Sequence, residues 1–137
     1  MMTTVTTTKA IGKISVHKYE PTAYDEPAEG PVLNRIHVEE AFSGDIEGEG
    51  TVEFLQAVRP DGSGSFVGIE RVTGTIADRS GSFLLQDAGT LSDGVVSGEW
   101  FVIPGSGSGG LVGLRGTGAF RANLGEDAEI TLDYWFE

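Results

Sequence analysis

The stretch that decides the fold is Asp45–Phe54, which reads DIEGEGTVEF. Its even-numbered residues are apolar or small, and its odd-numbered residues are acidic or threonine. A repeat of two residues places successive side chains on opposite faces of a β-strand. The stretch therefore predicts a strand with one buried face and one solvated acidic face, and the pattern extends to Val58.

Seven other segments carry strand signals and are separated by connections rich in glycine, proline, serine or aspartate. These predicted strands are Lys13–Tyr19, Leu33–Phe42, Ser65–Ala77, Ser82–Leu91, Val95–Ile103, Thr117–Ala122 and Glu129–Phe136. The proline-containing segment Tyr19–Pro31 is predicted to be a long loop. Helical periodicity is not convincing in any window, so an all-β protein is expected.

Glycine is concentrated in the centre of the chain, where 18 of the 21 glycines lie between Gly44 and Gly118. Glycine inside a strand marks a bulge, a bend or a close approach of the backbone. Spread over many strands, it favours strongly coiled strands that close on themselves. We therefore predict an eight-stranded antiparallel closed β-barrel of calycin-like form over residues 11–137, after a flexible segment at residues 1–10. A two-layer sandwich is the alternative.

Composition excludes several classes of function. The 137 residues carry a net charge of −12, which disfavours nucleic acids and anionic membranes as partners. Cysteine is absent, so disulfides and zinc–thiolate sites are excluded. The N-terminal residues lack the apolar core of a signal peptide, and a cytoplasmic protein is expected. The sequence predicts no metal site and no cofactor.

Four motifs resemble a bacterial family known only as domain of unknown function 3224. They are Phe42–Gly50, Phe66–Val72, Arg79–Gln86 and Ile103–Gly109, and Leu132–Tyr134 fits as well. That family is similar to the allene oxide cyclase barrel, so the resemblance implies an eight-stranded antiparallel barrel and no established activity. The resemblance also implies a histidine where this chain has Asp87, and another where it has Ala128.

Glu70 is the candidate catalytic residue. Its neighbours two residues away along the predicted strand, Gly68 and Val72, belong to an apolar or small register that should face the interior. A buried carboxylate has a raised pKa or a cationic partner. Glu70 is therefore either one member of a buried pair that fixes strand register, with Arg79, Arg115 or Arg121, or an acid/base or ligand-orienting group.

Five other residues are candidate ligand contacts. Phe66, Trp100 and Tyr134 are expected in an aromatic lining, and the latter two carry polar groups that need partners when buried. Gln86 is a second polar anchor beside Glu70. The acidic face of Asp45–Phe54 should be solvated, and Glu49 is its candidate exception because glycines flank it.

Three functions fit this sequence. The first is a barrel that binds a small hydrophobic molecule, for which a homo-oligomer is possible. The second is a cofactor-independent isomerase or cyclase acting on a polyketide-like or lipid-like substrate, which needs a dry shaped pocket and one acid/base group. The third is a filled barrel with a structural or interaction role.

Overall fold

Nine antiparallel strands form the regular structure in the computed structural model, which describes residues 5–137. Eight are long and the seventh has two residues. They are β1 (Thr8–Asp25), β2 (Val32–Gly44), β3 (Ile46–Val58), β4 (Gly64–Ile76), β5 (Arg79–Ser92), β6 (Val95–Val102), β7 (Ser108–Gly109), β8 (Leu114–Asn123) and β9 (Ala128–Phe136).

The eight long strands form a closed barrel. Strand order is β4-β3-β2-β1-β9-β8-β6-β5, and pairing of β4 with β5 closes the sheet on itself. The short β7 pairs with Gly81 and Ser82 of β5. The predicted antiparallel barrel is therefore confirmed, and the sandwich alternative is wrong.

Strand β3 has the two faces that its alternation predicts. Ile46, Gly50 and Val52 are buried, whereas Glu47 and Glu49 are exposed. The neighbouring strands align in register, since Glu40 of β2 and Val72 of β4 both pair with Gly50. The acidic face is thus the outer wall of the barrel, where water solvates its charges.

The first strand is longer than the sequence predicts. The segment Tyr19–Pro31, expected to be a loop, is strand as far as Asp25, and the connection to β2 covers only residues 26–31. Its prolines suggested a loop because proline has no backbone N–H to donate to the hydrogen-bond ladder of a sheet. Strand β1 pairs with β9 only up to Ile14, however, and beyond it is an edge strand, where a proline is tolerated.

The barrel also begins earlier than predicted. Residues 8–10, assigned to a flexible segment, belong to β1, where Thr8 pairs with Tyr134 and Ala10 pairs with Leu132. Ala10 is buried because it faces the core. The prediction for residues 1–4 lies outside the described residues.

One end of the barrel, here called the closed end, is filled with side chains. Its core includes Ile46, Phe83 and Leu132, and the connection between β6 and β8 covers it with Leu111, which is fully buried. Ser106 and Ser108 fasten this connection to β5: the hydroxyl of Ser106 accepts a hydrogen bond of 3.0 Å from the backbone of Leu84. The motif Ile103–Gly109 thus belongs to the connection that covers the closed end.

Candidate functional site

A cavity of about 550 Å³ occupies the opposite half of the barrel. Its mouth lies between the unpaired part of β1, at Val16 and Tyr19, and the turn from β8 to β9 at residues 123–127. This end is called the open end. The lumen is therefore filled in one half and hollow in the other, which is the form that binds one small ligand.

Aromatic side chains form much of the cavity wall. Phe54 and Phe66 pack edge to face with ring centroids 5.2 Å apart, and Trp100 packs on Phe120 at 5.1 Å. The indole Nε1–H of Trp100 donates a hydrogen bond of 2.9 Å to the backbone oxygen of Thr131. The wall is thus rigid and apolar, and the polar group of Trp100 is satisfied within it.

Three carboxyl groups face this apolar space. Glu40 of β2, Glu70 of β4 and Asp87 of β5 line the cavity, with residue exposures of 7%, 1% and 4%. We call these residues the carboxyl cluster. One oxygen of Glu70 (Oε2) and one of Asp87 (Oδ1) are buried without a hydrogen-bond partner. Buried polar atoms are normally paired, so these two oxygens are unusual.

Burial makes this cluster harder to ionise. It raises the pKa of Glu70 well above its usual range, and a hydrogen bond from Glu70 to Glu40, with the nearby negative charges, adds to the rise. The pKa of Glu40 is also raised by burial, although Glu70 and the charge of His17 oppose this. Burial, helped by the charge of Glu40, raises the pKa of Asp87 to about 7. All three carboxyl groups therefore give up their protons less readily than carboxyl groups in water do.

Glycines on neighbouring strands make room for the large inward side chains. Gly68 pairs with both Phe54 and Asp87, and a Cβ atom at Gly68 would lie 2.6 Å from the ring and 2.8 Å from Asp87 Oδ1. A Cβ at Gly50 would overlap Glu70 Oε2. The same close approach recurs at Gly89 beneath Phe66 and at other inward glycines. These glycines are required by the cavity as much as by the curvature of the strands.

The substitution Gly68→Ala is expected to destabilise the protein by about 1–3 kcal/mol, because the added methyl group overpacks the site. Besides the two side chains, it would approach the backbone oxygen of Glu53 at 2.8 Å, and backbone moves little. Urea unfolding measures the change. The matched substitution Ser65→Ala, at a half-buried position on the same strand, should shift the midpoint much less. Equal midpoints for Gly68→Ala and wild type would show that the site is not tightly packed.

The structure brings together only some of the residues predicted for the site. Glu70, Phe66 and Trp100 line the cavity. Gln86 is exposed on the outer wall, so its predicted role as an interior anchor is wrong. Strand alternation explains this, because Phe83, Leu85 and Asp87 occupy the inward register of β5 and leave Gln86 outside.

Two other predicted contacts also lie away from the cavity. The side chain of Glu49 is 74% exposed and lies 3.6 Å from His17, so the suggestion that Glu49 enters the site is wrong. Its neighbours Gly48 and Gly50 are the residues that face inward. Tyr134 is half-buried, packs at the closed-end core and does not line the cavity, because β9 crosses from one end of the barrel to the other.

The predicted Glu–Arg pair is wrong as well. The guanidinium of Arg79 lies over the ring of Phe136, and that of Arg115 contacts Glu137 at 2.6 Å. Arg121 is exposed on the outer wall. All three arginines lie in outward or terminal positions, and Glu70 has acidic neighbours instead.

Sequence analysis missed Glu40 and Asp87. Glu40 continues the inward register of Ile36 and Val38, so the alternation could have revealed it. At β5 the adjacent Leu84 and Leu85 obscured which face is inside. Asp87 and Ala128, the two positions where the resemblance implies histidine, both line the cavity.

Within residues 5–137, no helix is long and apolar enough to cross a bilayer. Nor does any group of acidic or histidine side chains among the described residues have the arrangement of a metal site.

Fold and site together define the chain as an eight-stranded antiparallel barrel protein with a cavity that contains carboxyl groups. The family model described as "Protein of unknown function (DUF3224)" matches residues 10–134. The chain belongs to this family.

A solved structure from the same family agrees with the fold. It is a protein of unknown function from Shewanella oneidensis MR-1, which is 35% identical to this chain. The similarity covers 96% of this chain and 98% of that one, with a TM-score of 0.82. No curated protein matches the chain.

Proposed function

We propose that the protein binds a small apolar molecule in the open half of its barrel. The observation that carries the proposal is the cavity of about 550 Å³, which has aromatic walls and a few buried polar groups. Ligand sites in proteins have this size and this combination of surfaces. The closed end supports the proposal too, since a filled base gives the cavity a floor.

A fluorescent apolar probe tests the proposal. The probe N-phenylnaphthylamine has no basic nitrogen and becomes bright in dry surroundings. Wild type is expected to bind it with saturable fluorescence. Ala122→Trp should reduce the affinity at least about tenfold, because Ala122 lines the cavity and a bulky ring there fills the space.

The control is Ala119→Trp, which places the same ring on the same strand but on the exposed outer wall. It should bind the probe as wild type does. Native mass spectrometry of the purified protein gives a second measurement, in which a compound carried from the cell should be present in Ala119→Trp and absent from Ala122→Trp. Equal probe binding by the two variants, or none by wild type, would overturn the proposal.

A second candidate function is cofactor-independent isomerisation or cyclisation. The specific observation that favours it is the grouping of three buried carboxyl groups in one cavity, those of Glu40, Glu70 and Asp87, of which Asp87 has its pKa raised by burial to about 7. Such a set can donate a proton at one position and accept one at another. A compound recovered chemically unchanged after incubation with the protein, and bound equally by Glu70→Gln, would contradict this candidate.

A further inference from the structure

The balance of charge inside the barrel is one-sided. Five carboxyl groups line the cavity, three of them buried and two, those of Glu126 and Asp127, at its mouth, and no lysine or arginine is among the described residues that do so. Glu70 Oε2 and Asp87 Oδ1 are buried without partners in side chains that are almost wholly removed from solvent. An unpaired buried carboxyl group is costly to the fold. Among the described residues neither oxygen has a hydrogen-bond partner, so a group from outside the chain is needed to satisfy them.

We propose that the ligand of this cavity is an apolar amine, whose protonated nitrogen lies between Glu70 and Asp87 and whose hydrocarbon body lies against the aromatic wall. The inference rests on the proposed function, because it names the chemical class of the ligand for the same site. An ammonium group donates hydrogen bonds to both free oxygens and supplies the missing positive charge.

The surroundings of Asp87 suit a cationic nitrogen. Phe54 and Asp87 Oδ1 both lie beside Gly68, within 2.8 Å of the position of its missing Cβ atom. Trp100 is the direct cross-strand partner of Asp87. A cation held at Asp87 therefore meets aromatic rings as well as carboxylate oxygens, and both attract it.

Other ligand chemistries fit this cavity less well. A calcium or magnesium ion needs six or more oxygen ligands around it, whereas most of this wall is aromatic or aliphatic. A neutral ligand with a carbonyl group has no proton to donate to the two unpartnered oxygens, and it brings no countercharge when the carboxyl groups are ionised. The two organic classes differ in how binding responds to pH, so pH separates them.

The titratable groups near the nitrogen lie on several elements. His17 on the outer wall of β1 influences Glu40, and Glu126 and Asp127 lie at the mouth. Within the cavity the groups are those of the carboxyl cluster. As pH rises from about 5 to about 8, Asp87, whose pKa burial raises to about 7, loses its proton while an alkylamine stays charged, since amines of this kind titrate near pH 10. Affinity for an amine should therefore increase over this range.

Three probes of equal shape provide the test: naphthylmethylamine, naphthylmethanol and naphthoate. Each competes with N-phenylnaphthylamine for wild-type protein. At about pH 8, we expect the amine to bind at least tenfold more tightly than the alcohol, because its charged nitrogen donates charge-assisted hydrogen bonds that the alcohol cannot make. The naphthoate should bind most weakly, because the cluster repels it.

Variants test whether the carboxyl cluster causes the preference for the amine over the alcohol. Glu70→Gln and Asp87→Asn keep the shape of each side chain and remove its charge, so each should bring the ratio of alcohol to amine dissociation constants close to one. Glu49→Gln makes the same chemical change on the outer wall, where the side chain is 74% exposed, and should leave the ratio unchanged.

Failure of this inference is distinguishable from failure of the proposed function. If N-phenylnaphthylamine binds but the amine does not outcompete the alcohol, the cavity takes apolar ligands and the inference is wrong. An amine affinity that falls as pH rises, or a preference that survives both cavity variants, also overturns it. If the probe itself does not bind, the proposed function fails and the inference fails with it.

Discussion

Asp87→Asn is expected to weaken the pH dependence of stability. Between about pH 5 and about pH 8, the free energy of unfolding should fall by about 3 kcal/mol more in wild type than in the variant. The cause is the buried position of Asp87, which raises its pKa to about 7. In the unfolded chain an aspartate titrates near pH 4. The native protein therefore binds more protons than the unfolded chain between these two values.

The direction follows from that difference in bound protons. Where the native state holds the extra proton, the free energy of unfolding falls as pH rises. The favourable contribution of protonated Asp87 is thus present at low pH and is lost as pH passes through about 7. Asparagine cannot titrate, so the variant lacks this part of the slope.

Urea unfolding at several pH values measures the effect. Other groups add to the wild-type slope, among them His37, whose pKa is raised by hydrogen bonds to Glu39 and Glu53. Subtracting the Asp87→Asn curve from wild type isolates the contribution of Asp87. Asp25→Asn, at an exposed position on β1, is the matched control for the loss of one negative charge. Identical slopes for wild type and Asp87→Asn would contradict the burial of an unpaired carboxyl group.

Trp100→Ala should destabilise the protein by about 3–5 kcal/mol, the usual cost of removing a large buried aromatic side chain. Trp100 is 4% exposed and packs between Phe42 and Phe120, with ring centroids 6.3 Å and 5.1 Å away. It lies where the filled half of the barrel meets the cavity. Its loss therefore removes packing from the floor of the site and enlarges the space above it.

Trp100→Phe separates packing from hydrogen bonding. Phenylalanine keeps an aromatic ring and removes the Nε1–H donor to the backbone oxygen of Thr131, a hydrogen bond that contributes about 1 kcal/mol. The phenylalanine variant should therefore lie between wild type and alanine. Urea unfolding followed by circular dichroism avoids dependence on the fluorescence that the substitution removes. Equal midpoints for wild type and Trp100→Ala would refute the role of Trp100 in the core.

Much of the barrel could be predicted because one rule governs each strand. Where apolar and polar residues alternate without interruption, as in β3, the sequence defines both the strand and its faces. The rule failed at Tyr19–Asp25, where Pro21 masks a strand that has only one neighbour. Whether a segment lies at an edge depends on the stagger between neighbouring strands of the closed barrel. The local sequence pattern carries no information on that stagger.

The site was harder to predict because its members come from different strands. Glu70 was found through its own register, but its neighbours Glu40 and Asp87 become visible only when β2, β4 and β5 are placed side by side. An arginine was expected near Glu70 because an isolated buried carboxylate is costly. The protein instead groups three carboxyl groups whose pKa values burial raises, an arrangement that depends on proximity across the lumen.

The pairing of large inward side chains with glycines on adjacent strands, as of Phe54 with Gly68 and of Trp100 with Gly118, has a wider consequence. A Cβ atom at either glycine would meet backbone as well as a side chain: the oxygen of Glu53 at Gly68, and the oxygen of Thr131 at Gly118. The two members of such a pair therefore cannot exchange sizes without a shift of the strands. The positions that lack a side chain thus fix where bulk can stand inside the barrel, and a change of ligand shape has to come from the aromatic member of each pair.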